Sequence, residues 1–278
     1  MDIKKRLYIN GCSFLYNGES FLLKENPLYK LFVESNHPNK DLASYNASAA
    51  GSDNESIFRR TLIDCCKNNF DFAIIGWSHP ERGLALENIL KIDFEKLKNS
   101  SESDFFGDGS MYKKLYGYIN VLPSDTNDKF FYSNLKFEPK ATDDVIFYTI
   151  ALHHFFKSKN IPHLFLNMGK LDSDVLLARE NWIKEIDVKN YLSVNDTNNI
   201  LEKMQFSFTE YYAKKALKPI VKDIDIHAFK SLDGNSDMEY EISGNGWIRD
   251  VGGHLGYTAF YDLFNLMHNH IKMHFNLV

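Results

Sequence analysis

Hydrophobic and polar positions along the chain change period several times, and the changes mark its elements. Arg6-Leu-Tyr-Ile-Asn10 is a short apolar run stopped by Gly11 and reads as a first strand. After Asn17-Gly18, the apolar-periodic stretch from Phe21 to Val33 reads as a helix, and Asp41 to Ala47 as a second strand. Ser52-Asp-Asn-Glu55 has the form of a capping box, with Ser52 as N-cap and Glu55 three residues on. Behind it Ile57, Phe58, Thr61, Leu62, Cys65 and Cys66 recur with helical period. Phe70 to Trp77 reads as a buried strand ending at Gly76, and Pro162 to Met168 as another. Between these two lie residues 79–142, rich in Ser, Asn and Asp but with aromatic residues among them, which read as an insertion. A helix over Asp143 to Lys159 follows it. Residues 169–245 read as mostly helical, around Asp174–Ile186 and Phe208–Leu217, and form a second insertion. The last element is a helix from about Tyr257, with Phe260, Phe264, Met267 and Ile271 on one stripe.

Strands alternating with helices predict a parallel sheet covered on both faces, in one domain over residues 1–278 with insertions at about 79–142 and 169–245. Such sheets place ligands at the carboxyl ends of their strands. With 278 residues, 44% hydrophobic and 25% charged, the chain has ample core for this and is not expected to be disordered. A net charge of −5 and a pI of about 6.1 exclude a broadly basic nucleic-acid surface. No apolar run approaches the ~18 residues of a membrane span. Leu7-Tyr8-Ile9 followed by Asn10-Gly11 is too short and polar for a signal peptide. Three cysteines, two of them adjacent, do not make a disulfide framework and suggest a cytoplasmic location.

Four segments with small or polar residues converge on one edge of the expected sheet. They are Gly11-Cys12-Ser13, Ala49-Ala50-Gly51, Gly76-Trp77-Ser78-His79 and Asp250-Val-Gly-Gly-His254, the last just before the final helix. A Ser on a tight strand-to-helix turn, with a distant His and Asp, is what acyl transfer requires. The His takes the hydroxyl proton, the Asp holds the imidazole in one tautomer, and backbone N–H groups beside a Gly bind the oxyanion.

On these residues the chain resembles the SGNH/GDSL hydrolase superfamily. Gly11-Cys12-Ser13 stands where that family has its Gly-Asp-Ser block, and Asn46-Ala-Ser-Ala-Ala-Gly51 is similar to its second block. Asp250 and His254 stand where the family keeps its C-terminal Asp and His. Three positions depart from the pattern. Cys12 replaces an Asp outside the triad. Gly76-Trp77-Ser78-His79 replaces Gly-x-Asn-Asp. Three residues separate Asp250 from His254 instead of two. The resemblance implies a three-layer α/β/α sandwich with a central parallel sheet (SGNH-hydrolase-like, flavodoxin-like) and a serine esterase. Ser13, Asp250 and His254 would be its catalytic residues, and the backbone N–H groups of Ser13 and Gly51, with Ser78, its oxyanion donors. No metal or organic cofactor is then required, and the expected partner is a small-molecule or carbohydrate ester, with a slight preference for O-acyl carbohydrate.

Other readings compete. Ser13 can simply cap a helix, Gly51 can simply lead into one, and His254 can be a surface residue. The fold can also serve as a non-catalytic module binding sugar or protein. Cys12 can be weighed as a thiol nucleophile, although its side chain is expected to point into the core. His79 can enter the cleft or be structural. His153 and His154, adjacent on a helix, do not share a face and are poor joint metal ligands. His268, His270 and His274 read as a solvated helix end. The aromatic residues of 79–142, Phe105, Phe106, Tyr112, Tyr116 and Phe130 to Tyr132, are expected either to form a satellite core or to wall the substrate cleft.

Overall fold

The computed structural model describes residues 6–12, 15, 44–48, 52–80, 83–86, 118–121, 138–195, 197–217 and 257–275. The chain has an α/β fold built on a four-stranded parallel sheet. Its strands are β1 (Leu7–Asn10), β2 (Ser44–Asn46), β3 (Phe72–Trp77) and β6 (His163–Asn167), in the order β2-β1-β3-β6. Ile9 is level with Asn46 on one side and with Ile74 on the other, and Trp77 is level with Asn167. Beyond β6, Tyr191 adds a single parallel bridge to Phe165, and the Leu192 N–H donates to the Phe165 carbonyl at 2.8 Å. The chain leaves β1 toward one side for β2 and returns past it to β3. The crevice at the carboxyl ends of β1 and β3 is therefore the topological switch point, the usual ligand position of such sheets.

Both faces of the sheet are buried, which explains why the strands read as continuous apolar runs. Leu7, Ile9, Phe72, Ile74, Leu164 and Leu166 face α6 (Phe208–Leu217) and α7 (Tyr257–His274). The stripe Phe260, Phe264, Met267 and Ile271 lies in that contact, as its period predicts. Tyr8, Ala73, Ile75, Trp77 and Phe165 face the other way, in one core with Ile57 and Cys65 of α1 (Asn54–Lys67) and Val145, Ile146, Leu152 and Phe156 of α2 (Glu138–Ser158). The short helices α3 (Ser173–Ala178), α4 (Glu180–Ile183) and α5 (Ile200–Gln205), with a 3₁₀ turn at Val188–Asn190, complete the second core.

Three expectations are corrected. The N-cap of α1 is Asp53, not Ser52; its carboxylate accepts from Ser56 N at 3.0 Å and Ser56 Oγ at 2.9 Å. Glu55 instead pairs with Arg59 one turn on. Helix α2 begins at Glu138, five residues before the expected Asp143, because Ala141 and Thr142 are buried and extend its packed face. The preceding segment holds a two-stranded antiparallel sheet, β4 (Gly83–Leu86) with β5 (Tyr118–Val121), separate from the main sheet. His270 is not simply solvated: its Nε2 lies 2.7 Å from the Lys189 carbonyl, and partial burial pushes its pKa down to about 4. The expected helix over Phe21 to Val33 and the aromatic residues named in 79–142 lie outside the described residues, as do the parts of the second insertion beyond Leu217. Among the described residues no helix is long and apolar enough to cross a membrane.

Candidate active site at the carboxyl edge of the sheet

Helix α1 runs antiparallel to the strands it covers, and a ladder of buried polar contacts fixes it there. Near its C-terminal end Tyr8 Oη donates to Asp64 Oδ2 at 3.1 Å. One level up, Asn10 Nδ2 donates to the Ile57 carbonyl at 3.0 Å and to Thr61 Oγ1 at 2.9 Å. At the top, Asn54 Oδ1 accepts from Ser78 N at 2.7 Å, while its Nδ2 lies 3.4 Å from the Ser78 and His79 carbonyls. Burial raises the pKa of both Asp64 and Tyr8. For the carboxylate this outweighs the nearby Arg60 and the Tyr8 hydrogen bond. The tyrosine therefore stays a neutral donor.

Asn54 was not singled out from the sequence, yet it ties the end of β3 to the start of α1. The pattern Ser52-Asp-Asn-Glu55 announced a helix start, but only the tertiary contact gives the amide its second task. Asn54→Ala would leave the buried Ser78 N–H without its acceptor. It is expected to cost about 1–3 kcal/mol in urea unfolding. An unchanged midpoint would show that this clamp contributes nothing.

Just beyond β1 the Leu15 N–H donates to the Cys12 carbonyl at 3.0 Å. Gly11 and Gly76 leave room for the Leu15 side chain. A Cβ on Gly76 would stand 2.5 Å from Leu15 Cδ1, and one on Gly11 2.8 Å from the same atom. The two glycines read from the sequence as strand ends thus form the seat of a buried leucine. Cys12 is fully buried in the core with Leu7, Ile9 and Phe208, in line with the expected inward direction of its side chain. Cys65 is also buried and Cys66 exposed; all three cysteines are free.

Ser78 is the one expected donor side chain within the described residues. It is buried, and its hydroxyl has no hydrogen-bond partner among them. It directly follows β3. Across the same edge, Ser48 N donates to Asn46 Oδ1 at 2.9 Å, while the buried Ser48 hydroxyl is likewise without a partner there. His79 packs against Gly169, where a Cβ would lie 2.9 Å from its Nδ1, so it joins the loops after β3 and β6.

The two helices of the other face begin at this edge. Thr209 N, in the first turn of α6, donates to the carbonyl of Met168, the residue after β6. Asp262, in the second turn of α7, accepts from Tyr212 of α6 at 3.2 Å and pairs with Lys215 at 3.2 Å. At the far end, the Phe275 ring meets Phe72, the first residue of β3, edge to face at 5.1 Å. Helix α7 therefore runs antiparallel to β3, and the chain enters it at the carboxyl edge.

Ser13, Gly51, Asp250 and His254 lie outside the described residues. What is described are their neighbours in the chain: Cys12 at the end of β1, Ser52 and Asp53 before α1, and Tyr257 at the start of α7. Among the described residues no group of three or more His, Cys, Asp or Glu could hold a metal ion. His153 and His154 separate as expected: His153 is buried and His154 pairs with Glu185 at 2.8 Å. Comparison of the chain with protein-family models, curated proteins and solved structures gives no match.

Proposed function

We propose that the chain is a serine esterase with a fold similar to the three-layer, flavodoxin-like sandwich of SGNH hydrolases. The observation that carries the reading is the meeting of two sequence-distant segments at one sheet edge. Strand β1 ends there three residues before Ser13, and α7 starts there three residues after His254. Three residues of chain span at most about 10 Å, which supports a His254 within reach of that edge.

In this reading Ser13 attacks the ester carbonyl while His254 takes its proton. Asp250 orients the imidazole and stabilises it once charged. The tetrahedral oxyanion is held by the backbone N–H groups of Ser13 and Gly51 and by the Ser78 hydroxyl, which is uncommitted among the described residues. The His254 proton then passes to the leaving alcohol, and water releases the acid by the reverse sequence. The start of α1, with its positive dipole end toward the edge, favours the same negative charge.

A serine-directed fluorophosphonate with adduct mapping tests the reading. An adduct on Ser13 is the expected result. An adduct on Cys12 would replace the mechanism with a thiol one, and no adduct at all would favour a binding module on the same fold.

A further inference from the structure

The polar ladder between the sheet and α1 ends in a contact at the carboxyl edge itself. Strand β3 pairs with β1 as far as Ile75, level with Asn10, and with β6 as far as Trp77, whose carbonyl accepts from Met168 N at 2.9 Å. The next N–H, that of Ser78, lies past both pairings and finds its acceptor in Asn54 Oδ1 at 2.7 Å. Asn54 is only 4% exposed, and its Nδ2 stands 3.4 Å from the carbonyls of both Ser78 and His79. One carboxamide thus addresses three main-chain groups of two consecutive residues. From the side of β6, a Cβ on Gly169 would stand 2.7 Å from His79 Cα and 3.0 Å from Pro80 Cδ, so the chain after β6 closes on the same stretch.

We propose that Asn54 is a positioning residue of the ester-hydrolysing site: it fixes the main chain of Ser78 and His79 against α1 and so sets the geometry of the carboxyl edge. This rests on the esterase reading above. Satisfying the Ser78 N–H for stability needs one acceptor only. The carboxamide does more, because accepting from one peptide group and donating toward the next two fixes their orientation as well as their distance. Reacting groups have to be held to about 0.5 Å, and supporting hydrogen bonds of this kind hold them. The same helix also carries the end of β1, through Asn10 Nδ2 on the Ile57 carbonyl and on Thr61 Oγ1. The ends of β1 and β3 are therefore referred to one rigid element. Asn54 is also the link between two of the proposed oxyanion donors: Gly51 stands three residues before it in the chain, and Ser78 is bonded to it.

The test follows p-nitrophenyl acetate hydrolysis and the rate of fluorophosphonate labelling, both well below the Tm of every variant. Asn54→Ala is expected to lower kcat about ten- to a hundredfold with KM unchanged, and to slow the labelling of Ser13 by a similar factor. Tyr8→Phe removes a buried hydrogen bond at the other end of α1, so it should lower Tm and leave both rates as in the parent. Asn54→Asp keeps an acceptor for the Ser78 N–H and loses the donor; its kcat is expected about three- to tenfold below the parent's. It takes the place of Asn54→Ala should that variant not fold. The proposal is overturned if the variant at position 54 keeps the parent's kcat and labelling rate, if its loss lies in KM, or if Tyr8→Phe is slowed as much. A parent that leaves the ester intact and takes no fluorophosphonate overturns the esterase reading and this one with it. A parent labelled on Ser13, with a position 54 variant labelled equally fast, overturns this one alone.

Discussion

Ser13→Ala is expected to lower kcat on p-nitrophenyl acetate by about 10⁴–10⁶ while leaving the fold intact. A nucleophile and its general base act as one unit, so His254→Ala should lose a comparable amount, and the double variant should be little worse than either single one. That non-additivity separates a working Ser-His pair from two residues that each merely support the cleft. Cys12→Ala should keep activity within a few-fold, because the thiol is fully buried in the apolar core beside Leu7 and Ile9. Steady-state kinetics of the four variants decides the matter. A Ser13→Ala protein that retains a tenth or more of the parent rate, or losses that multiply in the double variant, would end the triad reading.

Acid should destabilise the protein through a buried histidine pair remote from the site. His153 Nδ1 and His163 Nε2 are 2.9 Å apart, and His163 Nδ1 lies 3.0 Å from the Ile161 carbonyl. A carbonyl only accepts, so His163 carries its proton on Nδ1 and its bare Nε2 accepts from His153 Nδ1–H. His153 Nε2 is buried, with the Glu185 backbone near the ring. Both rings are thus neutral, and burial pushes both pKa values down to about 4.

An unfolded histidine titrates near 6.5, so below that pH the unfolded chain binds protons that the folded pair refuses. The pair's contribution is present in full above about pH 6.5 and is lost as pH falls toward 4. Two and a half pKa units amount to about 3 kcal/mol for the first proton. Urea unfolding between pH 7.5 and 4.5 should show this loss, and His153→Leu/His163→Leu should remove its part of the slope. His270, with its pKa also down at about 4, adds a smaller effect of the same sign that remains in that variant. Nitrogen NMR of the folded parent provides a check independent of the variant's folding. An imidazole of this pair becoming charged above pH 6 would contradict the account.

Local pattern made much of this architecture legible. The runs at Leu7–Asn10, Phe72–Trp77 and His163–Asn167 are apolar except at Asn10, His163 and Asn167, because a strand buried on both faces has little polar side to show. The stripe from Phe260 to Ile271 located α7, and the glycines at 11 and 76 marked the ends of two strands. Boundaries set by packing were less legible. Helix α2 starts at Glu138 because Ala141 and Thr142 are buried, which no local period announces.

By itself the sequence determined the strands of the main sheet and the helix faces, and offered Ser13, Asp250 and His254 for the proposed acyl-transfer chemistry, since these follow from residue type and spacing along one chain. Tertiary structure decided the strand order, the antiparallel run of α7 that brings its start to the edge of β1, the seat of Leu15 on two glycines, the Asn54 clamp on Ser78, the Ser48 and Ser78 hydroxyls left without partners among the described residues, and the His153–His163 pair. Each of these joins residues from about ten to more than two hundred positions apart, or depends on which contacts a group fails to find once the chain has closed around it. No local spacing encodes either.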